Sequence, residues 1–166
     1  MLSRNNRMNR LIKRKALPKI TQVQNPGFED SSFSPWHDVG DVFLSTIQPN
    51  FGKQHARYEV PPGRSASLSQ LVFLSKPGST NSYKLIFSVN SQSNSGILQI
   101  SLLGTLVSGI TIPLKDIPKS KYKYYTLTFP SSALRGSSSF VLEFRVNGTG
   151  SRTAILNLDT AVVIPV

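Results

Sequence analysis

Apolar and polar residues alternate with a period of two along most of this chain, and that alternation constrains its fold more than any other feature. Leu85, Phe87 and Val89 alternate with Lys84, Ile86 and Ser88, and Phe140, Leu142, Phe144 and Val146 alternate with Val141, Glu143 and Arg145. Successive side chains of a strand point to opposite faces, so each such run offers one face to a core and the other to solvent. The spacing predicts strands over 20–24, 42–47, 54–60, 67–74, 83–89, 96–103, 106–112, 122–129, 139–146 and 154–164. Turn signals separate them: Pro61-Pro62-Gly63, Lys76-Pro77-Gly78, Ser93-Asn94-Ser95-Gly96 and Asn147-Gly148-Thr149-Gly150, with Asn147-Gly148 read as a hairpin turn. Short strands at regular spacing, with no convincing helix among them, predict an all-β fold. The expected architecture is an antiparallel β-sandwich, a jelly roll, over residues 20–166.

In front of it lies a basic arm, residues 1–19. Arg4, Arg7, Arg10, Lys13, Arg14, Lys15 and Lys19 give it a charge of +7 with no acid, whereas the remaining residues hold twelve basic and eight acidic side chains. Met8, Leu11 and Ile12 have the spacing of a helical stripe, so the arm is expected to be extended or a short helix. It reads either as a solvated tail or as a docking element for an acidic surface, a neighbouring subunit, anionic lipid or a phosphate backbone. The arm lacks the apolar core of a conventional secretory signal, and no apolar run approaches the roughly 20 residues of a membrane span. There is no cysteine, which excludes disulfides and thiol chemistry.

Catalysis has little to work with. The two histidines, His37 and His55, stand apart and carry no nucleophile motif, and the carboxylates are scattered. A non-enzyme is expected. A structural calcium is better supported, because hard cations gather carboxylates and carbonyl oxygens from loops. Glu29 follows the first predicted strand, and Asp159 interrupts the apolar run Ile155-Leu156-Asn157-Leu158. A carboxylate in such a strand requires a cation or hydrogen-bond donors, and both readings stand.

Aromatic side chains supply the sugar-binding candidates, since a sugar's C–H face packs on an aromatic face. Trp36 is either such a platform or a plug closing one end of the sandwich. Tyr125, Leu127 and Phe129 share the face expected in the core. Tyr122 and Tyr124 share the other, as an exposed platform or as ordinary cross-strand packing. Lys115, Lys119, Lys121 and Lys123 surround those tyrosines, a combination that suits single-stranded nucleic acid or the guarding of a sheet edge.

Several segments together carry a family resemblance. They are Val23-Gln24-Asn25-Pro26-Gly27-Phe28-Glu29 with Pro35-Trp36, then Ala66–Val72 followed by Lys76-Pro77-Gly78 and Tyr83–Phe87, then Tyr124–Phe129, then Ile155–Val162. In this order they resemble bacterial carbohydrate-binding, galactose-binding-like jelly-roll modules. The resemblance implies a non-catalytic glycan-binding sandwich. It also implies a structural calcium held by Glu29, Asp159 and nearby carbonyls. The chain departs from the pattern in having Thr160 where a second acid is common, and in lacking a run of tryptophans. A jelly roll behind a basic arm is also similar to spore-surface, phage and viral capsid subunits. That similarity implies a homo-oligomer whose arm docks on neighbouring copies or nucleic acid.

Overall fold

The computed structural model describes residues 22–74 and 81–166. The arm and the Lys76-Pro77-Gly78 turn lie outside the described residues. Among the described residues ten strands are formed: β1 (His37–Val39), β2 (Val42–Ser45), β3 (His55–Val60), β4 (Ser65–Phe73), β5 (Ser82–Ser91), β6 (Ile97–Leu103), β7 (Ile110–Pro113), β8 (Lys123–Pro130), β9 (Ser139–Asn147) and β10 (Ala154–Pro165). They make two five-stranded antiparallel sheets, β1-β4-β9-β6-β7 (sheet I) and β2-β3-β10-β5-β8 (sheet II). The architecture is the β-sandwich expected from the alternation.

The alternating residues fall where the pattern puts them. Phe140, Leu142, Phe144 and Val146 of β9 and Leu85, Phe87 and Val89 of β5 are buried between the sheets. Phe87 and Phe144 meet edge to face at 5.4 Å, joining the two layers. The Tyr58 hydroxyl, fully buried, donates to the Phe144 carbonyl at 3.2 Å and so spends its polar end inside the core. Phe129 is buried as expected, and Tyr125 and Leu127 pack half-buried against the same cluster.

Three local expectations change. The strand predicted over 106–112 shrinks to Ile110–Pro113, after Gly104 turns the chain with φ +89°. Residues 22–24 form no strand, although the Gln22 N–H donates to the Val163 carbonyl at 2.9 Å. Asn147-Gly148 is no hairpin turn, because β9 lies in sheet I and β10 in sheet II. That segment crosses between layers, with Gly148 N–H donating to the Arg64 carbonyl and Gly63 N–H to the Gly148 carbonyl, both 2.9 Å.

β10 is the central strand of sheet II. It pairs with β3 only through Leu158, and its register against β5 slips between Leu158 and Thr160. Asp159 is the extra residue of this β-bulge, a device that bends a strand and re-aims a side chain. Just beyond it, Ala161 N–H donates to the Pro26 carbonyl at 2.8 Å. The bulge therefore sits where β3 leaves the strand and residues 22–26 take its place.

Candidate functional site on the outer face of sheet II

The segment Asn25–Asp30 forms a clasp. Asn25 and Phe28 both adopt left-handed backbone, φ 44° and 58°. The Asn25 side-chain amide donates to the Ser32 and Ser34 carbonyls, and its side-chain oxygen accepts from Asp30 N–H at 3.4 Å. This self-bonding is what makes Asn tolerable at such a position. Phe28 is driven fully into the core, and Glu29 is left outside, facing the β2–β3 connection.

That connection, residues 46–54, lies as a strap over the outer face of sheet II. Two carboxylates hold its backbone. Both oxygens of Glu29 accept from Lys53 N–H, at 3.0 and 2.9 Å, and Oε1 also accepts from Gln54 N–H at 3.3 Å. Asp159 Oδ2 accepts from the N–H groups of Asn50 and Phe51, the latter at 2.9 Å. Gly52 turns the strap with φ +70°, and a Cβ there would lie 2.1 Å from Glu29 Oε1. Only glycine lets the strap approach the carboxylate this closely.

Asp159 is fully buried, and its second oxygen, Oδ1, has no hydrogen-bond partner. Burial raises its pKa from 3.8 to about 6, with the charge of Glu29 adding to the rise and the Phe51 and Asn50 donors opposing it. A buried, orphaned carboxylate oxygen near a second carboxylate fits a hard cation. The other oxygens would be carbonyls, since no group of three His, Cys, Asp or Glu converges among the described residues. The two predicted cation ligands, far apart in sequence, are thus brought to the same strap.

The sheet beneath the strap is polar. Arg57, Asn157 and Asn90 form a row across β3, β10 and β5: Arg57 Nη1 donates to Asn157 Oδ1 at 3.4 Å and Asn157 Nδ2 to Asn90 Oδ1 at 2.8 Å. His55 is buried, and burial lowers its pKa, which favours the neutral imidazole. Its ring lies 6.3 Å from that of Tyr122. The Tyr122 hydroxyl is enclosed, and burial raises its pKa, with the Asp159 charge as the second cause. Tyr122 is therefore part of the wall of the face.

Tyr124 is different. It is 57% exposed, and its hydroxyl accepts from Asn50 Nδ2 at 2.9 Å while the same amide donates to Ser88 Oγ at 3.3 Å. The strap thus fixes the one end of this ring that would otherwise swing. Beside it a cleft of about 370 Å³ is lined by Gln48, Asn50, Asn90, Lys121 and Tyr122, among others.

Trp36 is corrected. It is 4% exposed, packs against Phe28 at 5.5 Å and Phe144 at 6.1 Å, and donates its indole N–H to the Asn25 carbonyl at 3.2 Å. It plugs the sandwich and presents no face to a ligand. Arg4, Arg7, Arg10, Lys13, Arg14, Lys15 and Lys19 lie outside the described residues. Lys123 extends over the Tyr125 ring at 4.7 Å, at the start of the edge strand β8.

No protein-family model matches the sequence, and no curated protein matches it. Solved structures do share its fold. TmCBM61, solved in complex with beta-1,4-galactotriose, superposes with a TM-score of 0.66 at 19% identity, over 89% of this chain and 99% of that one. The fold is that of β-sandwich carbohydrate-binding modules. A module specific for non-crystalline cellulose, CBM28, gives a TM-score of 0.55 at 13% identity, over 88% of this chain and 96% of that one. The enzymatically active domain of tailspike protein 4 of bacteriophage CBA120 gives 0.64 at 18% identity, over 89% of this chain but only 22% of that one. At these identities the likeness establishes the fold alone.

Sequence reasoning missed Asn50, Arg57, Asn90 and Asn157. The pattern gave no distinct signal: His55, Arg57 and Glu59 occupy the outward positions of one strand, and polar residues there are what a face meeting bulk water also shows.

Proposed function

We propose that this chain is a non-catalytic glycan-binding module whose ligand lies on the outer face of sheet II. The observation that carries the reading is Tyr124, an exposed ring whose hydroxyl is fixed by Asn50 beside a polar cleft. A sugar needs one apolar face to pack on and oriented hydrogen-bonding groups around its rim. Tyr124 supplies the first, while Asn50, Asn90 and Lys121 supply the second. The solved modules of this fold, one with a galactotriose bound, support the class of ligand.

Calcium belongs to the same proposal, as an architectural ion. Glu29 and Asp159 would hold it, and its charge would satisfy the orphaned Asp159 oxygen where the strap is anchored. The strap in turn positions Asn50 against Tyr124.

The test is a broad polysaccharide array followed by titration of each hit. Tyr124→Ala is expected to weaken binding about tenfold, the loss of an aromatic contact of roughly 1–1.5 kcal/mol, without lowering thermal stability much. Unchanged affinity in Tyr124→Ala, or silence across the array, overturns the reading.

A second reading, a homo-oligomeric assembly subunit, draws on the outer face of sheet I. Leu71, Val141 and Leu103 align across β4, β9 and β6, with Phe73 next to Leu71; Leu71, Phe73 and Leu103 are each at least half exposed. Adjacent exposed apolar residues of this kind favour self-association. On this reading sedimentation gives an oligomer that Leu71→Lys with Phe73→Lys reduces to monomer. A monomer at every accessible concentration removes it.

A further inference from the structure

The outer face of sheet II continues past the Tyr124 cleft into a second one, and the two flank the segment Lys119–Tyr122. The second cleft, about 350 Å³, is lined by Gln92, Asn94, Lys119, Arg152, Thr153 and Ile155, among others. Its chemistry is one-sided. Lys119 and Arg152 stand in its wall and no carboxylate does. Among the described residues the ion pairs are Arg57 with Glu59 and Arg145 with Glu143, so both cleft cations are unneutralised.

The neutral groups have the same bias. Arg57 Nη1 donates to the Gln92 side-chain oxygen at 3.1 Å. With its acceptor occupied, the Gln92 amide offers the cleft its NH2 donors. The wall behind is rigid. The Ser91 hydroxyl donates to the Ser93 carbonyl at 2.7 Å and accepts Ser93 N–H at 3.2 Å. The Ser93 hydroxyl repeats both bonds with Ser95, at 2.8 and 3.1 Å. Gly96 N–H is then tied to the Thr149 hydroxyl at 3.1 Å. A stiff loop holds its donors in place before a ligand arrives, which lowers the entropy lost on binding.

Charge is segregated across the sheet. The cleft at the opposite edge, by β2 and β3, is lined by Asp41, Glu59 and Phe43; Glu59 is paired with Arg57, which leaves Asp41 as its uncompensated charge. An anionic polymer is therefore favoured on the β5–β10 side, where Lys121 of the neighbouring cleft adds a third positive charge, over the edge that carries Asp41.

The geometry points to a glycan carrying carboxylates, a uronic-acid polymer, as the ligand of this face, with Lys119, Arg152 and the Gln92 amide receiving the acid group. Half-buried Ile155 offers the sugar ring an apolar contact. The inference rests on the glycan reading and names the ligand class within it. It assigns to the second cleft the choice between acidic and neutral chains.

The experiment titrates the full-length protein with polygalacturonate, with its fully methyl-esterified form, and with neutral galactan. Polygalacturonate is expected to bind roughly tenfold more tightly than its ester, as charge-assisted hydrogen bonds predict, and the preference should shrink with added salt. Lys119→Gln with Arg152→Gln should sharply reduce the preference, the basic residues 1–19 accounting for what remains, and leave binding to the ester unchanged. Arg64→Gln with Arg135→Gln, which removes the same charge elsewhere, should keep it. Equal binding of acid and ester, or a preference undiminished in the cleft variant, overturns the inference and leaves the glycan reading standing. Binding to none of the three polymers also overturns it, and the wider array then decides whether the glycan reading survives. Inorganic polyphosphate serves as the bare-charge control. Its binding through the basic residues 1–19 should be indifferent to the cleft variant. An equal loss of polyphosphate binding would mark a site for charge alone and overturn the sugar assignment.

Discussion

Trp36→Ala is expected to lower the stability of the sandwich by about 3–5 kcal/mol, the usual range for emptying a large buried aromatic site. For a domain of this size that is a fall in melting temperature of roughly 10–15 °C. The indole touches the clasp through Phe28 and the core through Phe144, and it caps the Asn25 carbonyl. Its removal leaves a cavity, an unpaired carbonyl and a loosened clasp together. Thermal and urea denaturation measure the effect. The same substitution would also be expected to abolish binding if Trp36 were a sugar platform, so folding and binding must be separated. Trp36→Phe does this: it keeps a ring in the core and, on the glycan reading, should match the wild type in binding once folded. Loss of binding in a fully folded Trp36→Phe protein would contradict the core assignment.

The sandwich was legible because its strands alternate cleanly. Each β-strand with a buried face must repeat apolar residues at every second position, and β5 and β9 do so without interruption. β1 was not legible for the complementary reason. All three of its residues are exposed, so burial left no mark on them. Trp36, between Pro35 and His37, is equally compatible with a plug or a platform. Its burial depends on Phe28 folding back over it, a contact that local pattern does not encode.

The candidate site was legible only in its charged ends. Glu29 stood out for its place in the clasp, and Asp159 stood out as an acid in an apolar run. What joins them did not show. A bulge depends on the registers of both flanking strands, and the alternation within β10 alone does not reveal the slip after Leu158. The bond from Asn50 to Tyr124 spans 74 residues, and neither side chain has any local feature that announces the other. The Tyr122–Tyr124 pair, treated alike in sequence, splits in the structure because the chain before β8 tucks Tyr122 toward His55 while Tyr124 stays on the open edge strand.

Stability should depend on pH through Asp159, with a sign opposite to that of an ordinary salt-bridged carboxylate. Its pKa is raised, so the folded protein keeps a proton that the unfolded chain has already released between pH 3.8 and about 6. In the presence of chelator its contribution is fully present below pH 3.8 and is lost as pH rises through 6. A shift of about two units corresponds to about 3 kcal/mol. His55 pulls the other way. Burial lowers its pKa, so acid favours the unfolded state, where the imidazole can be charged. The informative quantity is therefore the difference between wild type and Asp159→Asn at each pH. The asparagine retains an acceptor for the Asn50 and Phe51 N–H groups but cannot ionise. In chelator its stability relative to wild type should rise from pH 4 to pH 7. Calcium should do for the wild type what the proton does, stabilising it at pH 7 by neutralising the buried oxygen, and should have no effect on Asp159→Asn. Because the strap anchored by this carboxylate also places Asn50 on Tyr124, calcium should tighten glycan binding in the wild type alone. A pH-independent difference between the two proteins would refute the buried-carboxylate account. An undiminished calcium response in Asp159→Asn would refute the cation assignment, and each result would leave the sandwich and the proposed role of Tyr124 untouched.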